Sequence, residues 1–84
     1  MTRHTVIWVP SAENELGEIW LVATDQEEVA NAANTIDRVL RDQAASAGEE
    51  VAEDWRRLDC PPLRVLFEVL AEDLVVRILK VKRI

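Results

Sequence analysis

The sequence contains one cysteine, one histidine, two glycines and no tyrosine, and these shortages exclude several kinds of site. Cys60 alone cannot form an internal disulfide, and it excludes a zinc site built from several cysteines. His4 would need an orienting partner to act as a catalytic base, and the sequence identifies none. We therefore interpret His4 as structural and expect neither a metal nor a cofactor.

Long apolar runs are missing as well. No segment approaches the roughly 18 apolar residues that span a bilayer, and the N-terminus lacks the apolar core of a signal peptide. We expect a cytoplasmic protein that makes no membrane contact. The 84 residues are 49% hydrophobic and 31% charged, which predicts a single domain over residues 1–84 with one modest core.

Charge is divided along the chain, within a net charge of -6. Residues 11–54 contain twelve acids and two arginines, whereas residues 55–84 contain seven bases and four acids. An acidic middle and a basic end indicate that a polyanion would meet the C-terminal part. The alternative is a solvated acidic helix face beside ordinary strand lysines.

The last third of the chain, residues 63–84, has the pattern of a β-hairpin. Two runs of Val, Leu, Ile and Phe flank the polar pair Glu72-Asp73, where we predict a tight turn or a somewhat longer loop. The predicted register pairs apolar with apolar residues and an acid with a base. Its pairs are Val69 with Val76, Phe67 with Ile78, and Glu68 with Arg77.

This register assigns the hairpin residues to two faces. The face toward the helices is predicted to hold Val65, Phe67, Val69, Val76 and Ile78. The opposite face is predicted to hold Arg64, Leu66, Glu68, Arg77, Leu79 and Val81. Arg64 and Arg83 should share one face at the open end of the sheet, with Lys80 and Lys82 on the other.

The first 45 residues predict a strand and two helices. Residues 3–9 form a β-rich run that ends at Pro10, and Ser11 is a good N-cap for the first helix. Its apolar stripe is Ala12, Leu16, Ile19, Trp20 and Ala23, with Trp20 expected in the core and Gly17 allowing close packing. A capping box near Thr24 and Asp25 starts the second helix, with the stripe Val29, Ala33, Ile36, Val39 and Leu40.

The segment between the second helix and the hairpin is less regular. Residues 46–50 have the composition of a loop, and residues 55–60 can form a short strand that ends at Pro61-Pro62. The predicted fold is α+β, with the order β-α-α-β-β-β. It is an antiparallel sheet with a two-helix hairpin packed on one face.

This order and several local motifs resemble the RelE/ParE superfamily, the toxins of type II toxin–antitoxin modules, over nearly the whole chain. The first strand leads into Pro10 to Leu16 and then Ile19-Trp20, where the family has a strand, a proline, an alanine and a Leu-x-x-Ile pair. Ala33, Ile36 and Leu40 match the Ala-x-x-Ile-x-x-x-Leu pattern of the second helix. The family's Tyr-Arg-Val-x-Tyr-x-Val hairpin corresponds to residues 62–69, followed by Asp73, Val76 and Val81.

The resemblance implies two toxin mechanisms. The RelE branch cleaves mRNA in the ribosomal A site, and Arg64, Lys82 and Arg83 match or lie near its basic residues. No tyrosine is present, and Ile84 precedes the position of the family's terminal arginine and tyrosine, so the general acid and base are missing. The ParE branch lacks these residues and inhibits DNA gyrase through protein contacts.

We therefore predict a toxin that is neutralised by a cognate antitoxin, of the kind that serves plasmid stabilisation, and that is either ParE-like and directed at gyrase or functionally divergent. The alternatives are a ribosome-dependent mRNA endonuclease and a non-toxic interaction domain. Arg64, Lys82 and Arg83 are the predicted catalytic or target-contacting residues, although basic residues at a strand end also discourage aggregation. Leu66, Leu79 and Val81 are predicted to bind the antitoxin or a second copy of the chain.

Overall fold

Two helices and five strands follow one another in the order β-α-α-β-β-β-β in the computed structural model, which describes residues 3–84. The strands form one sheet in the order β1-β5-β4-β3-β2. The predicted α+β fold, with both helices on one face of the sheet, is confirmed. The elements are β1 (Thr5–Trp8), α1 (Pro10–Val22), α2 (Gln26–Gln43), β2 (Glu49–Ala52), β3 (Trp55–Cys60), β4 (Leu63–Leu70) and β5 (Val75–Arg83).

The sheet differs from the predicted one in two details. β1 runs parallel to β5, which makes the sheet mixed, and β2 extends into the segment predicted as a loop. β2 is possible because Gly48, at φ +70°, lets the chain turn directly against β3. A Cβ on Gly48 would lie 2.3 Å from the carbonyl oxygen of Arg57, so only glycine fits here.

The β4–β5 hairpin keeps the predicted register as far as Phe67 and then shifts by one residue. Val69 pairs with Val76, Glu68 with Arg77 and Phe67 with Ile78, but Leu66 pairs with Lys80. Leu79 is therefore the extra residue of a β-bulge. Beyond the bulge, every residue of β5 lies on the face opposite to the one predicted.

The bulge corrects the predicted positions of Val81, Lys82 and Arg83. Val81 pairs with Val65 and is 3% exposed, so it belongs to the core and not to the exposed sheet face on which it was predicted. Lys82 pairs with Arg64 and shares its face, whereas Arg83 pairs with the buried Leu63 on the helix side. The predicted pairing of Arg64 and Arg83 on one face is wrong.

α1 begins one residue before the predicted cap. Pro10 occupies its first turn, where proline's fixed φ is favourable, and Val9 stands at the N-cap position instead of Ser11. Only Ala12 of the predicted stripe is fully buried, and Trp20 is 42% exposed, so the expectation that Trp20 lies in the core is wrong. A Cβ on Gly17 would meet nothing within 4 Å, so no close packing depends on this glycine.

α2 provides most of the helical side of the core. Val29, Ile36 and Leu40 are fully buried, as its predicted stripe requires, and Ala33 and Val39 are half-buried. They pack against Leu63, Val65 and Phe67 of β4 and Val76, Ile78 and Val81 of β5. No helix among residues 3–84 is long and apolar enough to cross a membrane.

Phe67→Ala should reduce the free energy of unfolding by about 3–5 kcal/mol, because it removes the largest fully buried side chain. Urea denaturation followed by circular dichroism measures this loss. Leu70→Ala on the same strand is the control, since Leu70 is 37% exposed and should cost far less. Equal losses in the two variants would contradict the assignment of Phe67 to the core.

Candidate functional site

The sheet face that the helices leave open, which we call the outer face, carries most of the charged strand residues. Paired residues of neighbouring strands project to the same side, so the register defines the members of this face. Its charged members are Glu49, Arg57, Asp59, Arg64, Glu68, Arg77, Lys80 and Lys82, and the apolar Ile7, Trp55, Leu66 and Leu70 lie on the same side. Five bases and three acids therefore alternate across one surface.

A cleft of about 400 Å³ lies at the end of the outer face where β5 extends beyond β1. Its walls combine four cationic side chains with apolar strand residues and one acid from α1. The lining residues are Glu15, Arg57, Arg64, Val65, Leu66, Lys80, Val81 and Lys82. We call this the cationic cleft.

Arg64, predicted to contact phosphate or a target, is already paired within the chain. Its Nε donates to Asp59 Oδ1 at 2.6 Å, and its Nη2 donates to Asp59 Oδ2 at 2.9 Å. The hydrogen bond from Arg64 lowers the pKa of the Asp59 carboxyl and raises the pKa of Arg64. Asp59 thus remains ionised throughout the neutral range and holds both arms of the guanidinium fork.

Lys80 and Lys82 are the uncommitted cations of the cleft. Both are exposed, and neither forms an ion pair with an acid among residues 3–84. The two flexible ammonium groups can therefore meet an external anion without breaking an internal contact.

Arg83, the third predicted site residue, lies outside the cleft. Its Nη2 donates to Asp25 Oδ2 at 2.6 Å, which lowers the pKa of the Asp25 carboxyl. The neighbouring Ile84 N–H donates to the carbonyl oxygen of Pro62 at 2.9 Å. Arg83 therefore ties the end of β5 to the connection between the helices.

Glu15 is a cleft residue that the sequence did not reveal. β1 stops pairing at Trp8, so the following part of β5 has an open edge, and Glu15 Oε1 accepts a hydrogen bond from the Val81 N–H at 3.2 Å. The two residues are 66 positions apart, and no local pattern predicts such a contact. Glu15 places one carboxylate beside four cations.

The remaining predicted residues are His4 and the three of the apolar groove, Leu66, Leu79 and Val81. His4 is buried, and its backbone N–H donates to the carbonyl oxygen of Arg41 at 2.9 Å. Leu66 and Leu79 are half-buried and Val81 is buried; Leu66 and Val81 line the cationic cleft, whereas Leu79 does not. No cluster of His, Cys, Asp and Glu able to hold a metal is found in the described part of the chain.

A separate apolar surface lies on the helices. A groove of about 490 Å³ between α1 and α2 is lined by apolar side chains including Trp8, Leu16 and Trp20, with Glu13 and Asp37 at its rim. Leu21, one helical turn after Gly17 of this groove, is 71% exposed. We call this the helix groove and its apolar margin.

No protein-family model matches the sequence, and no curated protein matches it. Solved structures do. A chain of the toxin–antitoxin complex RelBE2 from Mycobacterium tuberculosis superposes with a TM-score of 0.82 at 17% identity, over 100% of this chain and 94% of that chain. This chain has the RelE/ParE toxin fold.

A chain of the chromosomal ParDE TA system from P. aeruginosa is also similar. Its TM-score is 0.71 at 22% identity, and the match covers 98% of this chain and 97% of that chain. The RelE/ParE fold of this protein thus accounts for the helical hairpin, the open sheet face and the strand order. At these identities the likeness concerns the fold, and the chemistry of the cleft depends on this chain's own residues.

Acidification should destabilise the protein through Asp25 and Asp59. Both have a pKa below the ordinary value of 3.8, because arginines hydrogen-bond their carboxylates. A carboxyl with a lowered folded-state pKa stabilises the fold above 3.8 and loses that contribution as the pH falls through the folded-state value. The melting temperature should therefore drop as the pH falls from 3.8 toward the lower folded-state pKa values. The drop should be less steep in Asp25→Asn.

Thermal unfolding followed by circular dichroism between about pH 2 and pH 5 measures this slope. Asp54→Asn is the matched control, since Asp54 forms no ion pair among residues 3–84. Parallel acid slopes in the wild type, Asp25→Asn and Asp54→Asn would contradict the role of the Arg83–Asp25 pair.

Proposed function

We propose that the protein is the toxin of a type II toxin–antitoxin module, acts in the cytoplasm and is neutralised by a cognate antitoxin. The observation that carries this proposal is the RelE/ParE fold, which matches a chain of RelBE2 over nearly the full length of both chains. The cationic cleft supports it, because the open face gathers four bases at one end of the sheet.

The charge pattern of the outer face favours a protein target and a ParE-like action on DNA gyrase. Glu49, Asp59 and Glu68 stand among the bases, and each forms an ion pair with an arginine of the same face. A polyanion would meet repulsion from these carboxylates. A protein surface with charges of both signs can complement them.

The cleft also favours a protein target because it contains few groups that could transfer protons in a cleavage reaction. Its titratable residues are two arginines, two lysines and Glu15. Arginine is a poor proton shuttle because its pKa exceeds about 12. The site is therefore better suited to binding a protein through charge complementarity than to cleaving a nucleic-acid strand.

Glu15 is the observation that supports the alternative, a ribosome-dependent mRNA endonuclease. A carboxylate within the cationic cleft can accept the proton of a ribose 2′-hydroxyl while neighbouring cations stabilise the phosphate. A lysine would have to protonate the leaving oxygen. This mechanism requires Glu15 to leave or share its hydrogen bond with the Val81 N–H.

Induced expression should arrest growth, and the purified protein should inhibit DNA supercoiling by gyrase. Lys80→Ala combined with Lys82→Ala should weaken inhibition about tenfold, as expected for two exposed charges at an interface. Arg38→Ala is the matched control, because Arg38 is an exposed cation of α2 far from the cleft in the fold. An unchanged inhibition in the double variant would contradict the role of the cleft.

Translation-dependent mRNA cleavage is assayed in parallel. Robust cleavage that Glu15→Gln abolishes would replace the gyrase proposal by the endonuclease, since glutamine keeps the acceptor for the Val81 N–H but loses the base. Cleavage that persists in Glu15→Gln would exclude Glu15 as that base. Silence in both assays, with no growth arrest, would leave a non-toxic interaction domain.

The antitoxin is proposed to bind the helix groove and its apolar margin, in place of the predicted Leu66, Leu79 and Val81. The groove is apolar with an acidic rim, which suits an amphipathic helix with basic flanks. A homodimer through this surface would bring two acidic helix pairs together, and the like charges oppose it.

Leu21→Asp should abolish co-purification of the toxin with the antitoxin encoded beside its gene, because it places a charge in the apolar margin of the groove. Leu70→Asp, an exposed leucine of β4 away from the helices, is the control and should retain co-purification. Co-purification that survives Leu21→Asp and fails in Leu70→Asp would move the antitoxin to the outer face.

A further inference from the structure

Asp59 contacts two of the arginines that line the cationic cleft, although it does not line the cleft itself. Its carboxylate accepts from both arms of the Arg64 fork, the bidentate arrangement that arginine also uses for phosphate. The Nε of Arg57 lies 3.9 Å from the same Oδ1 atom. One carboxylate thus occupies the space between two guanidinium groups.

The backbone holds this carboxylate in place. Asp59 and Arg64 are a cross-strand pair of β3 and β4, next to the Cys60–Leu63 pair that closes the hairpin. The cross-strand pairing keeps the two side chains next to each other on the same face of the sheet. The Asp59–Arg64 ion pair is therefore formed in the protein without a ligand.

We infer that Asp59 is a specificity-determining residue, which occupies the fork of Arg64 and makes the cationic cleft reject nucleic-acid strands. An incoming phosphate must displace the carboxylate from Arg64 and approach a negative charge. The side chains of Arg64 and Asp59 are 33% and 39% exposed, so solvent and ligands reach them. A protein ligand can instead use Lys80 and Lys82 and leave the pair intact.

This inference rests on the proposed function, because it explains how a basic cleft can serve a protein target. The inference about Asp59 and the proposed function make different experimental demands. The proposed function depends on growth arrest and gyrase inhibition, whereas the role of Asp59 appears in binding by the purified protein alone. Each can therefore fail without the other.

The test measures binding of a fluorescein-labelled 2′-O-methyl oligoribonucleotide of about 12 nucleotides, which cannot be cleaved and fits the usual length of a single-strand site. Fluorescence anisotropy is recorded over a series of salt concentrations. Asp59→Asn should bind about fivefold more tightly than the wild type at low salt, as one released arginine allows. The slope of log K against log salt should become steeper by about 0.7, the value for one added phosphate contact.

Glu68→Gln is the matched control. It makes the same change in net charge and releases Arg77 on the same face, but Arg77 does not line the cleft, whereas Arg64 does. It should leave the slope near that of the wild type. Adding Arg64→Ala to Asp59→Asn should restore the wild-type slope, which separates release of Arg64 from a general gain of positive charge.

Three results would overturn the inference. Asp59→Asn could leave affinity and slope unchanged, Glu68→Gln could raise them equally, or the double variant could keep the steeper slope. Melting temperatures of all variants establish that each remains folded. Growth arrest and supercoiling by the wild type are scored separately and decide the proposed function.

Discussion

The β-bulge at Leu79 determines how the protein divides its C-terminal strand between core and surface. Regular pairing would have placed Val81 in solvent and Lys80 and Lys82 under the helices. The one-residue shift places Val81 against Val65 and sends both lysines to the open face. Burying an unpaired ammonium group is far more costly than a local break in a ladder, so the bulge is the favourable solution.

The same shift separates the two arginines of the predicted site. Arg64 remains on the outer face with Asp59, while Arg83 passes to the helix side and meets Asp25. Both arginines thereby form ion pairs within the chain. The cations left for an external ligand are the lysines. The surface that remains is mixed in charge, which is better suited to partner selection than to general attraction of polyanions.

Much of the architecture was predictable from the sequence, because hydrophobic period and cross-strand complementarity are local signals. The Glu68–Arg77 pair, the α2 stripe and the helical hairpin follow from such signals. The bulge was missed because the predicted register continues without interruption past Phe67, although the charged Lys80 and Lys82 break the apolar alternation begun by Val76 and Ile78. Contacts between distant residues, such as Glu15 with Val81 and Arg83 with Asp25, leave no trace in spacing. The elements were therefore more predictable than the composition of the site.

β5 lies inside the sheet, between β1 and β4, although it follows all the other elements along the chain. β1 has no strand beside it until β5 pairs with it, and the cleft lacks both lysines until the same moment. β2, β3 and β4 can pair before β5 is made, but β1 joins the sheet only through β5, so closure of the sheet depends on pairing between remote parts of the chain. A nascent or truncated chain without this strand has neither a closed core nor a cleft. The order of the strands therefore delays any activity of the cleft until translation has passed β5.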